Sequence, residues 1–151
     1  MRILRPLRFV LAAALFVIAS SFCHAQASLA GVWEGVINAG DHEIHIVWHV
    51  TAAPDGTVTT NFDNNDEGVT GIKAKVTDFK DSKITVTVDD QVDVNGQTLQ
   101  IRGTLAGTVS ADGNELTGTW TQTDPQEEPP MDLKLKRTGA SAAPAAATPN
   151  G

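Results

Sequence analysis

From Gly31 to Arg137, apolar side chains recur at every second position, the period of a half-buried strand rather than of a helix. Trp33, Gly35 and Ile37 share one face against Val32, Glu34 and Val36, and Ile44, Ile46, Trp48 and Val50 share the next against Glu43, His45, Val47 and His49. The alternation continues through Val58, Thr60 and Phe62, through Ile72, Ala74 and Val76, and through Ile84, Val86 and Val88. It is longest over Gln97 to Val109, where Leu99, Ile101, Gly103, Leu105, Gly107 and Val109 face inward. Leu116, Gly118 and Trp120, then Met131, Leu133 and Leu135, complete the series. The pattern predicts eight strands and no helix.

Asp55-Gly56, Asn95-Gly96 and Asp112-Gly113 tolerate the positive φ that type I′ hairpin turns require, and Asp81-Ser82 and the Asp63 to Gly68 stretch are weaker turn signals. Every link is short except Gln122 to Pro130, and short links force neighbouring strands to run antiparallel. An all-β meander with one apolar face buries it by closing as an up-and-down barrel or by folding into a two-layer sandwich. Closure removes exposed strand edges. Inward Gly103, Gly107 and Gly118 let a strand bend or a tryptophan fit, so the expectation is a small eight-stranded antiparallel barrel over residues 28–138, with the sandwich as its alternative.

The two ends of the chain read differently. Residues 1–27 have a basic start (Arg2, Arg5, Arg8), an apolar run from Phe9 to Ile18 and small residues around Ala25 and Ala27. This is the layout of a secretory signal cleaved after Ala25 or Ala27, and the run is too short to span a membrane. Its removal takes the only cysteine, Cys23, and moves the net charge from −7 to −10 by loss of three arginines. A chain so acidic is not a nucleic-acid or anionic-membrane binder, and without thiols it has neither disulfides nor a Cys-based zinc site. The expected location is periplasmic or secreted. Residues 139–151, rich in Ala and Pro, read as a disordered tail.

Candidate chemistry is sparse. His42, His45 and His49 lie close in sequence, but on a strand His45 and His49 stand ~13 Å apart, too far to share a metal. Ile46 occupies the place of the glutamate in an H-E-x-x-H site. Asp63 to Gly68 opens like a calcium loop, yet the twelfth position is Ala74, and Asp89, Asp90, Asp93 and Asn95 form a second oxygen-rich group read as a solvated turn. Glu34 and Glu43 are carboxylates on outward faces with nothing nearby to raise a pKa. Ser28, Ser82, Ser110 and Ser141 lie in no G-x-S-x-G elbow. No catalytic residue, metal set or cofactor is therefore assigned. The interior residues Trp33, Ile46, Trp48, Phe62, Ile101 and Trp120 are the candidate lining of a ligand cavity, because barrels of eight strands can hold one small molecule.

Three segments carry a resemblance: Gly31-Val32-Trp33-Glu34-Gly35; Asp55-Gly56-Thr57 through Asp66-Glu67-Gly68-Val69-Thr70-Gly71-Ile72; and Gly103-Thr104-Leu105 through Gly118-Thr119-Trp120-Thr121-Gln122. In this order they resemble the small N-terminal β domain that precedes the catalytic domain of secreted bacterial α/β-hydrolases and serine peptidases, over about Leu29 to Arg137. No hydrolase domain follows here, and Asn64-Asn65 stands where that family carries Ser-Pro, so the resemblance implies a stand-alone accessory module and transfers no catalytic residue. Gly31-Val32-Trp33 is also similar to the G-x-W of lipocalins. The expectation is a non-catalytic module that binds a small apolar or peptide-like ligand or a partner protein. A small hydrolase using surface carboxylates or the histidines, and a purely structural or oligomerising remnant, are the alternatives.

Overall fold

Strict alternation leaves each strand with one greasy face that a flat sheet would expose to water. The computed structural model, which describes residues 28–139, buries that face by closing the sheet on itself. Its strands are β1 (Gly31–Asn38), β2 (Glu43–Ala52), β3 (Val58–Asn64), β4 (Val69–Lys80), β5 (Lys83–Val94), β6 (Gln97–Val109), β7 (Glu115–Asp124) and β8 (Met131–Gly139). Each pairs antiparallel with the next, and β8 returns to β1 with Trp33 opposite Arg137 and Gly35 opposite Leu135. The protein is an eight-stranded up-and-down barrel and not a two-layer sandwich. Among the described residues there is no helix, and so none long and apolar enough to cross a membrane. The secretory-signal reading of 1–27, and the tail reading beyond Gly139, lie outside the described residues; Gly139 itself ends β8.

Local details depart from the alternation for identifiable reasons. In β4 a register shift between Val76 and Asp78 inserts one residue, which returns Phe79 to the inner face and carries the strand on to Lys80. β5 runs on to Val94, so Asp89, Asp90 and Asp93 stand on a strand rather than in a turn. β7 likewise continues through Gln122 to Asp124. Of the three glycine dipeptides, only Asn95-Gly96 is left-handed at both residues (φ 52° and 81°). Asp81-Ser82, the weaker signal, adopts the same conformation (φ 51° and 65°). The other two sit inside longer links held by side chains: Asp55 Oδ1 accepts from Thr57 N at 2.9 Å, and Asp112 Oδ1 accepts from Ser110 Oγ at 2.5 Å. Those bonds draw both carboxyl groups below the usual carboxylate pKa.

The interior is divided along the barrel axis. At the end where β1 begins, Trp33 and Trp48 have no exposed surface and lie 5.9 Å apart, and Phe62 stacks on Trp48 at 5.8 Å. Both indole N–H groups are satisfied, Trp33 Nε1 donating to Leu29 O (3.0 Å) and Trp48 Nε1 to Thr60 Oγ1 (2.6 Å). Arg137 seals this end. Its guanidinium lies 4.4 Å from the Trp33 ring centroid and donates to Ala30 O (2.6 Å), Ser28 O (3.0 Å) and Gly113 O (2.8 Å). Burial pushes its pKa below the ordinary arginine value. The outer surface of this cap is a broad hollow of mixed polarity, bordered by Asp112, Asn114 and Arg137 and by Leu29 and Phe79.

Candidate functional site

At the opposite end the packing stops. Ile37, Ile46, Phe62, Val88, Leu105, Trp120 and Leu133 form the floor and walls of a cavity of about 120 Å³ that opens between the strand ends. Their apolar side chains face inward for the same period-two reason that made the core. Polar lining is confined to Asp63, Asn64, Glu67 and Gln122. Apolar cavities of about 150 Å³ take up benzene and stay free of water, so this one accommodates a single ring or a short alkyl chain.

Two features shape the opening. First, the last β4–β5 pair is Ala74 with Val88, and β7 pairs with β6 no further than Arg102 with Asp124. Beyond those points β5 and β6 pair only with each other, as a hairpin arm ending at Asn95-Gly96. The apolar side of the arm, Val92, Val94, Leu99 and Ile101, lines the cavity, and Val92 is buried. Asp90 Oδ2 accepts Lys73 N at 2.8 Å, so a side chain takes over where the β4–β5 ladder ends. Second, Trp120 lies against Gly103. A Cβ built on Gly103 would fall 2.4 Å from Trp120 Cζ2 and 2.8 Å from Thr121 O. Gly103→Ala is therefore expected to displace the Trp120 ring, cost about 1–3 kcal/mol and change the intrinsic emission. Denaturant melts read alongside emission spectra check this.

The β3–β4 link beside the opening is held by its own carboxylates. Asp66 Oδ2 accepts His45 N at 2.7 Å, which is the main reason its pKa lies below the usual value, and the His45 ring stands 3.3 Å away. Asp63 accepts Gly71 N at 2.8 Å and lies 2.9 Å from His49 Nε2. Asn64 is bridged to Glu67 through both its amide atoms (3.2 Å each). Two of the histidines thus serve as partners of loop carboxylates, a role their sequence spacing does not reveal. Among the described residues no three His, Cys, Asp or Glu side chains stand where they could hold a metal ion. Glu34 and Glu43 are not brought together: Glu43 lies opposite Asn38, four residues and ~13 Å along β1 from Glu34.

Of the six interior residues expected to line a ligand cavity, Ile46, Phe62, Ile101 and Trp120 surround this one. Trp33 and Trp48 are also interior, but they fill the packed end and are not part of the cavity wall. The arm residues Val92, Val94 and Leu99 also line the cavity; Leu99 belongs to the inward set of the Gln97 to Val109 run, whereas Val92 and Val94 were missed. Val92 and Val94 alternate on one side of Asn95-Gly96 as Leu99 and Ile101 do on the other, but the intervening aspartates gave that stretch the look of a turn.

The fold and site define a closed eight-stranded β-barrel with one packed end and one apolar cavity open at the other. In comparisons with known proteins, no family model, curated protein or solved structure matches the chain.

Proposed function

We propose that this protein is a binding module that takes one small apolar group, free or as the side chain of a peptide, into the open end of its barrel. The observation that carries the reading is the contrast between the two ends. A barrel that fills one half with two fully buried tryptophans leaves the other half with an apolar void whose polar groups are confined to the opening. Such a void forfeits packing contacts along its whole lining, and an apolar guest restores them. The G-x-W similarity of Gly31-Val32-Trp33 supports the same reading. Action outside the cytoplasm, as a relative of hydrolase front domains, belongs to the proposal through the leader pattern of residues 1–27 and the resemblance of the three segments.

Burying six or so carbons at about 0.8 kcal/mol each gives about 5 kcal/mol before any cost of association, so Kd is no tighter than about 0.3 mM and falls in the millimolar range. Titration with toluene, cyclohexanol and hexanol is expected to give a saturable change in tryptophan emission in that range. Trp120→Phe should abolish most of the change, whereas Trp48→Phe should leave it. Emission that stays flat across all three compounds would remove the basis for the proposal.

A further inference from the structure

We infer that the guest is a small apolar cation, with its hydrocarbon part in the cavity and an ammonium-like group at the opening, rather than a fatty-acid-like anion. This rests on the cavity reading above. Three observations carry it.

The first is the charge of the opening. Three links meet there, together with the Asn95-Gly96 turn, and they bring Asp41 and Glu43 (β1–β2), Asp66 and Glu67 (β3–β4), and Glu127 and Glu128 (β7–β8) around one ring. No Lys or Arg occurs from 38 to 43, 64 to 69, 94 to 97 or 124 to 131, and the basic side chains against the ring are His42, 3.0 Å from Asp41, and His45, 3.3 Å from Asp66. The second is what the lining offers a head group. Asp63, Asn64, Glu67 and Gln122 are its polar side chains, and the cavity lining includes no Lys, Arg or His. A carboxylate placed there would meet amide groups and a negative side chain, whereas an ammonium would meet acceptors. The third is the state of the neighbouring charges. Arg102 is engaged with Asp124 (3.0 Å) and Asp89 (3.5 Å), and Asp63 with His49 and Gly71. Lys73 and Lys134 are exposed on the outer wall of β4 and β8. Glu67, by contrast, lies at the cavity edge with its carboxylate bridged to the neutral Asn64 amide. Several like charges around a low-dielectric hollow focus their field into it, so a cation gains from all six while each contributes little alone.

The test holds the tail constant and changes the head: hexylammonium, hexanol and hexanoate, titrated at pH 7 in low salt and again in 0.5 M NaCl, with Trp120 emission as readout. The expected order is hexylammonium tighter than hexanol and hexanol tighter than hexanoate, with about tenfold between the extremes, shrinking severalfold in high salt as screening shortens the field. Glu67→Gln is expected to lower hexylammonium affinity more than hexanol affinity and so to narrow the gap between them. If hexanol binds but hexylammonium binds no tighter, or hexanoate binds best, the cation inference is overturned and the cavity reading stands. If the Glu67→Gln loss falls equally on hexanol, the residue acts by shape and the charge argument is overturned. If none of the three moves the emission, both readings fall together.

Discussion

Trp33→Ala is expected to lower the unfolding free energy by about 3–5 kcal/mol, the largest effect of any single truncation in the barrel. The ring has no exposed surface, packs on Trp48 at 5.9 Å, lies beneath Arg137 and donates to Leu29 O. Its removal would empty the densest part of the interior and leave the Leu29 carbonyl and the Arg137 face without their partner. Trp120→Ala should cost clearly less, although Trp120 is also buried, because its ring already borders a void and has fewer contacts to lose. Urea unfolding of both variants measures the difference. Equal losses would mean that the two ends of the barrel are packed alike.

Arg137→Met follows, at about 2–4 kcal/mol. Methionine keeps much of the aliphatic length but removes the hydrogen bonds to the carbonyls of Ser28, Ala30 and Gly113, each reinforced by the guanidinium charge. Those bonds tie the segment before β1 and the β6–β7 link to β8, so the variant should open the packed end while leaving the ligand cavity intact. Arginine stays charged throughout the working range, and the loss should therefore be the same at pH 5 and pH 8. A double-mutant cycle with Trp33→Phe should show coupling of at least about 0.5 kcal/mol, since the cation lies over that ring. Additive losses would detach the cation from the indole.

Much of this architecture is legible in the sequence. Most of the inward set from Trp33 to Leu135 is buried, with Ile44, Val58, Ile72, Ala74, Ile101 and Met131 half-buried against it, because a period of two allows only one face per strand and only one face is greasy. Gly103 was placed inward as room for a large neighbour, and Trp120 occupies that room. What could not be read was set by register and bulges. Nothing local in Val76-Thr77-Asp78 announces the extra residue that turns Phe79 inward, and that residue depends on how β5 lies alongside. The division of the interior was hidden for the same reason. Trp33, Trp48 and Trp120 look equivalent as alternating residues, and only the pairing of Trp33 with Trp48 and of Leu105 with Trp120 assigns them to different levels of the barrel. The contacts of His45 with Asp66 and His49 with Asp63 join residues fourteen or more apart, and spacing along one strand does not reveal them.

The β5–β6 arm carries a consequence for how copies of this protein meet. Past Val88 on one side and Arg102 on the other, every second backbone amide and carbonyl of the arm points away from its partner strand, ready to accept a strand from another molecule. Asp89, Asp90 and Asp93 stand along the β5 border of that opening. Two molecules approaching border to border would bring Asp89 and Asp93 of each towards the same pair of the other, so the place most open to self-templating is also where like copies repel.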